Sequence, residues 1–214
     1  MDKIGIIDYG VSNILSVRNA LSFLRYSHIC SDKPKALSNC EALLLPGVGA
    51  FAHGMNNLRE LGFVDLIKQR VLSNGIPILG ICLGMQLLAD ESEEKGNHEG
   101  LGLIPGSIRH IPAENARVPH VGWNRVLPQN GSHHYPRPND YFYFDHGYHF
   151  ECNAKFLSGV FHYPSTMTAS VCRKHVVGTQ FHPEKSGKAG MLFLRRFFES
   201  NEIKPSDRGL SRYA

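Results

Sequence analysis

Short apolar runs recur along the first half of the chain, and each stops at a turn former or a glycine-flanked residue. Ile4-Gly-Ile-Ile7 ends at Asp8-Tyr9-Gly10, Ala42-Leu-Leu-Leu45 at Pro46-Gly47, and Ile76-Pro-Ile-Leu-Gly-Ile81 runs into Cys82. Runs of this length bounded by such residues read as buried strands. The stretches between them have a helical period. Ile14, Val17, Leu21 and Leu24 share one face, with Ser12 or Asn13 placed to cap the helix. Leu58 to Leu72 is amphipathic, and Met85 to Ala89 begins another helix. Strands alternating with helices predict parallel βαβ units, hence an α/β, doubly wound, mostly parallel sheet.

The pattern changes after about residue 100. Tyr141–Phe144, Phe156–Phe161 and Thr168–Cys172 predict shorter strands, and His175–Phe181 predicts another that leads into His182. Residues 128–140, rich in Pro, Asn, His and Gly, predict a loop, Met191–Ser200 a closing helix, and Asn201 onward a frayed tail. There is no repeat and no linker, so one domain over 1–200 with a tail at 201–214 is expected; 214 residues suffice for a sizeable core.

Composition narrows the class. With 42% apolar and 20% charged residues, neither a disordered chain nor a membrane protein is indicated. The net charge of +4 is spread without a basic block, so no nucleic-acid partner is expected. Five cysteines, an odd number without C-x-x-C spacing, support neither a disulfide framework nor a zinc site. Met1-Asp2-Lys3-Ile4 does not look like a signal peptide and no apolar run reaches ~18 residues, so a cytoplasmic protein is expected.

The candidate chemistry centres on Gly80-Ile81-Cys82-Leu83-Gly84, between an apolar strand and a helix. This is the G-x-S-x-G elbow pattern with Cys as nucleophile. An abrupt strand-to-helix turn leaves no room for side chains at the flanking positions. The start of a helix favours thiolate, and the N–H of Leu83 can face an oxyanion. A thiolate needs a base. Gly178-Thr-Gln-Phe-His182-Pro-Glu184 supplies one, with Pro183 ending the strand so that Glu184 can orient His182. The pairs His133-His134 and His146-x-x-His149 lack a matching set of Cys or carboxylates, so no metal is expected.

Gly80-Ile-Cys-Leu-Gly-Met-Gln86 followed by Gln180-Phe-His-Pro-Glu184 resembles the class I (triad) glutamine amidotransferases, which have a flavodoxin-like fold. Asp8-Tyr-Gly10 with Asn13, Pro46-Gly-Val-Gly-Ala-Phe51, Pro119-His-Val-Gly-Trp-Asn124 and His182-Pro-Glu-Lys-Ser186 resemble one branch, the glutaminase subunits serving imidazole glycerol phosphate formation in histidine biosynthesis. The resemblance spans about residues 4 to 198. It implies hydrolysis of L-glutamine without a cofactor, by Cys82, His182 and Glu184. It implies that Gly47, Val48, Gly49 and Leu83 face the substrate and its oxyanion, that Gln86 contacts the glutamine backbone, and that Gly147 and Tyr148 hold its α-carboxylate and amine. It also implies a heterodimer with a synthase (cyclase) subunit of (β/α)₈-barrel type that receives the ammonia, with Asn13, Pro119, Trp123 and Lys185 at the interface. Pro46-Gly-Val-Gly49 is expected to act as a switch, since glycine-flanked peptides reorient cheaply, and the peptide before Gly49 is the expected pivot.

Two departures leave the acceptor open. Ser12 stands where that branch has Gly, and Asp145-His-Gly-Tyr148 where it has Val-His-Ser-Tyr. The same chemistry serving another acceptor, such as a surface-sugar precursor, is the alternative reading; a non-enzymatic thiol sensor on the same fold is a third.

Overall fold

The computed structural model describes residues 4–112, 117–130, 132–135 and 140–206. Strands β1 (Ile4–Ile7), β2 (His28–Ser31), β3 (Ala42–Gly47) and β4 (Ile78–Cys82) alternate with helices α1 (Ile14–Phe23), α2 (Pro34–Leu37), α3 (Phe51–Glu60) and α4 (Phe63–Ile67). Helix α5 (Leu83–Leu87) leaves β4 with no intervening residue. There follow β5 (Glu91–Ser92), β6 (His98–Glu99), β7 (Gly106–His110), β8 (His120–Arg125), β9 (Leu127–Pro128), β10 (Tyr141–His146) and β11 (Tyr148–Cys152). Then come β12 (Leu157–His162), β13 (Thr166–Arg173), β14 (Val176–Thr179) and α6 (Gly187–Ser200).

The main sheet has the order β2-β1-β3-β4-β14-β13-β12-β9. Its first five strands are parallel, and β13, β12 and β9 extend it antiparallel. Successive residues of the parallel strands point to opposite faces. Ile6, Leu44, Leu79 and Ile81 meet Val17 and Leu21 of α1 and Phe193 and Phe197 of α6. Leu43, Leu45 and Ile78 meet Met55 and Leu58 of α3 and Phe63 of α4. Helices therefore cover both faces, which is why these strands read as continuous apolar runs. A four-stranded sheet, β11-β7-β5-β6, and a hairpin-like pair, β10-β8, stand beside the main sheet.

Several expectations need correcting. The amphipathic stretch 58–72 is not one helix: Gly62 at φ 76° ends α3 and starts α4, which continues as a π-helical turn over Lys68–Ser73. The helix after the nucleophile begins at Leu83, not Met85. β2 was not anticipated, because His28–Ser31 is half-buried along its length and lies at the sheet edge, so it carries neither an apolar run nor an alternation. Within the expected loop 128–140, Tyr135 is a buried anchor whose hydroxyl meets Ser170 Oγ; residues 131 and 136–139 lie outside the described residues.

The start of the tail is packed rather than frayed. Ile203 is buried in the cluster with Phe198, and Ser206 donates its N–H to the Arg25 carbonyl at 2.8 Å. Residues 207–214 lie outside the described residues. Replacing a buried Ile by Ala costs about 2–5 kcal/mol, and a chain end relaxes easily, so Ile203→Ala is expected to cost about 2 kcal/mol. A urea midpoint unchanged from the parent would show that this segment is not part of the folded unit.

Candidate active site

Three strand ends meet at the carboxyl edge of the sheet, the edge where open α/β folds place ligands. Gly47 ends β3 in register with Cys82, the last residue of β4, and Thr179 of β14 pairs with Ile81. Cys82 has φ 54° and ψ −110°, a conformation that non-glycine residues rarely hold. The neighbouring glycines explain how it is imposed. A Cβ on Gly84 would fall on the Leu45 carbonyl, and one on Gly80 would lie 2.6 Å from the Gly84 carbonyl oxygen. The backbone of α5 is thus pressed directly against β3 and β4, and the chain can turn only at Cys82.

The second element is the turn after β14. His182 donates its N–H to the Tyr143 carbonyl at 2.9 Å, and Ser186 Oγ bonds the His182 carbonyl at 2.6 Å while accepting from Tyr143 N–H at 3.0 Å. Pro183 opens a 3₁₀ turn over Pro183–Lys185 that swings Glu184 back. His182 Nδ1 lies 2.8 Å from Glu184 Oε1, with both side chains almost completely buried. Burial alone would push the imidazole down, but hydrogen bonds to Cys82 and Glu184 outweigh it and raise His182 to about 10. The imidazole between Cys82 and Glu184 is therefore favoured in its protonated form.

A cavity of about 270 Å³ opens on Cys82 and is lined by Val48, Gly49, Leu83, Gln86, Gly147, Tyr148 and His182, among others. The residues singled out in the sequence for glutamine and the oxyanion thus come together, with Gly47 directly beside Cys82 in the register. Pro119 also lines this cavity. Of the other expected interface residues, Asn13 caps α1 through Ser16 N–H at 3.4 Å. Trp123 is 55% exposed and packs edge-on against Tyr143, with Lys185 Nζ 5.6 Å from the same ring. Two residues to which the sequence pattern assigns no role join the site. Glu94 lines the cavity while its Oε2 accepts from Phe51 N–H at 2.7 Å. Gln180 is fully buried, with its Nε2 3.8 Å from Cys82 Sγ.

One donor is turned away from the cavity. Val48 N–H bonds the Val11 carbonyl at 2.8 Å. The engaged peptide is the one before Val48, one residue earlier than the glycine pattern indicated.

The class I glutamine amidotransferase family model matches residues 6–201. The chain belongs to the class I glutamine amidotransferases. Among curated relatives, the imidazole glycerol phosphate synthase subunit HisH of Geobacillus sp. (strain WCH70) is 46% identical over 211 residues, covering 95% of this chain and 99% of that one. The subunit HisH 2 of Vibrio vulnificus (strain YJ016) is 41% identical over 206 residues, covering 94% and 96%. A solved glutamine amidotransferase structure shares the fold with TM-score 0.76 at 19% identity, covering 94% of this chain and 100% of that one.

In this amidotransferase His146 and His149, three positions apart, turn to different partners. His149 faces Glu151 at 3.5 Å, whereas His146 Nδ1 donates to the Tyr148 carbonyl at 2.7 Å. His146 Nε2 is then left to accept from His120 Nδ1 at 3.2 Å. His120 stacks on Tyr163 and Phe161. Burial lowers His120 to about 4 and His146 to about 3. Their folded values lie below the unfolded ~6.5, so the unfolded chain takes up protons first as pH falls. Their contribution is complete above about pH 6.5 and is lost as pH falls toward 4 and below. His120→Phe, which keeps the stack, should flatten the fall of the urea midpoint between pH 6.5 and 4; a slope as steep as the parent's would contradict this.

Proposed function

We propose that this chain is the glutaminase subunit of an imidazole glycerol phosphate synthase, working in the cytoplasm and passing ammonia to a (β/α)₈-barrel partner. The observation that carries the reading is the buried His182–Glu184 pair beside Cys82, with Cys82 and His182 both lining a cavity of about 270 Å³. The names of the curated relatives supply the acceptor. No helix among the described residues is long and apolar enough to cross a membrane.

In this reading Cys82 Sγ attacks the side-chain amide carbon of glutamine. His182 gives its proton to the departing ammonia, leaving a thioester, then takes one from the water that hydrolyses it. Glu184 holds the imidazole and balances its charge. Leu83 N–H, the first of α5 and without an acceptor in its own helix, faces the oxyanion. Gln86 spends its Nε2 on the Tyr148 carbonyl and on Gln180 Oε1, which leaves Gln86 Oε1 as an acceptor for the α-ammonium. Glu94 adds the negative charge. The carbonyls of Gly147 and Tyr148 are occupied by Ile111 N–H and by His146 and Gln86, so these residues can offer N–H to the α-carboxylate.

Cys82→Ala is expected to abolish ammonia release from glutamine, while synthesis driven by added ammonium salt with the partner survives. His182→Asn should lose roughly 10²–10⁴-fold in turnover, the usual share of acid–base catalysis. Glu184→Gln should lose less, because it keeps a partner for Nδ1. Steady-state glutaminase assays of the complex check the order. Hydrolysis by the Ala variant at the parent rate, or a Glu184 variant worse than the His182 variant, would refute the roles.

The bond from Val48 N–H to Val11 ties the oxyanion segment to the first turn of the chain. While it holds, Val48 cannot donate to the oxyanion. Loss of one such donor costs about 10²–10³-fold in rate. The isolated chain should therefore be slower than the acceptor-loaded complex by about that factor. An isolated chain as fast as the loaded complex would rule out the switch.

A different acceptor for the same ammonia, such as a surface-sugar precursor, is favoured by Ser12 in that first turn and by Asp145 at the cavity wall. Product formation by the purified native complex with each acceptor separates the two.

A further inference from the structure

Helix α5 spans only Leu83–Leu87, so its dipole is small, and the sulfur of Cys82 depends on individual donors. Two side chains supply them. One is His182. The other is Gln180, two residues earlier on the same strand exit and fully buried, with Nε2 3.8 Å from Cys82 Sγ.

The Gln180 amide cannot turn freely. Its backbone N–H is fixed to the Ala169 carbonyl at 2.8 Å, and its side-chain oxygen accepts from Gln86 Nε2 at 3.1 Å. Because that oxygen receives a donor, the NH₂ end must be the one aimed at sulfur. Gln86 is itself steadied by the Tyr148 carbonyl at 3.2 Å and lines the cavity. A continuous set of directed bonds therefore runs from the cavity wall through Gln86 and Gln180 to Sγ. An amide N–H stabilises a thiolate, which only accepts, more than a thiol, which also carries a proton.

We propose that Gln180 is a positioning residue for the nucleophile: its amide holds Cys82 Sγ as thiolate in the attacking orientation and ties that state to the glutamine-binding wall through Gln86. The proposal rests on Cys82 being the nucleophile. It assigns Gln180 no contact with substrate, so its loss should lower kcat more than it raises KM. Loss of Gln86 should do the reverse.

The test is alkylation of the full-length chain by iodoacetamide as a function of pH, with the Cys82 peptide followed by mass spectrometry against those of the other four cysteines. It needs no glutaminase activity. In the parent, Cys82 should react fastest at neutral pH; equal reactivity of all five would sink the nucleophile reading and this one with it. Gln180→Met, which keeps volume but has no donor, should raise the pH midpoint of Cys82 alkylation by about one unit, roughly tenfold less thiolate at neutral pH. Gln180→Glu retains an acceptor for Gln86 but offers the thiolate an anion, and should shift the midpoint at least as far. If Gln180 merely braced Gln86, the Met variant would lose that contact yet keep the parental midpoint. Gln180→Asn keeps the amide one methylene short, serves if the Met variant fails to fold, and should shift the midpoint part of the way. A parental midpoint in any of these variants that folds, judged by its circular dichroism melt, overturns the proposal while leaving Cys82 as nucleophile untouched.

Discussion

The close approach of Gly84 to the Leu45 carbonyl governs the architecture of the site. No residue with a side chain can occupy position 84 without driving α5 away from β3, and none can occupy 80 without striking Gly84. With those two contacts made, β4 cannot continue straight, and the whole change of direction falls on Cys82 at φ 54°. That strain, of order 1–3 kcal/mol for such a conformation, is carried by the five parallel strands and the two apolar layers around them. The sulfur is thereby fixed by the sheet relative to Gly47 and Leu83, while His182 is placed by the turn after β14.

A second constraint is electrostatic. His182 and Glu184 are withdrawn from water together, and a buried ion pair of this kind is tolerated only when its members are well matched. Glu184 Oε2 has no partner among the described protein groups, so the pair is not saturated on that side. Ser186, by bonding both the His182 carbonyl and the Tyr143 N–H, sets the turn that makes the pairing possible. Tyr9 closes the other side: its hydroxyl is buried directly behind Gly47, and burial together with the charge of Cys82 makes its ionisation harder.

The parts of this arrangement that were legible in the sequence are those that glycine and proline write. Gly80 and Gly84 announced the elbow, and Pro183 announced the turn that carries Glu184, although β14 itself ends earlier, at Thr179. What was hidden depends on side-chain direction or on weakly patterned segments. Nothing in the order of residues tells that Gln180 turns toward Cys82, or that Glu94 reaches across to Phe51 from the small sheet of two- and five-residue strands. Those strands are too short for an alternation to register. The break at Gly62 was missed because apolar spacing continues through it, and the packed start of the tail because a single buried residue, Ile203, anchors it.

The patch made by Trp123, Tyr143 and Lys185 has a practical side. The chain contains one tryptophan, and it stands on the surface, half exposed. Its ring leans on Tyr143, whose own ring lies 6.3 Å from His182. All indole emission from this molecule thus originates at one place, a single aromatic ring removed from the imidazole. The protein carries a built-in optical reporter there: water leaving that face would shift the spectrum to the blue, and no label would have to be attached to see it.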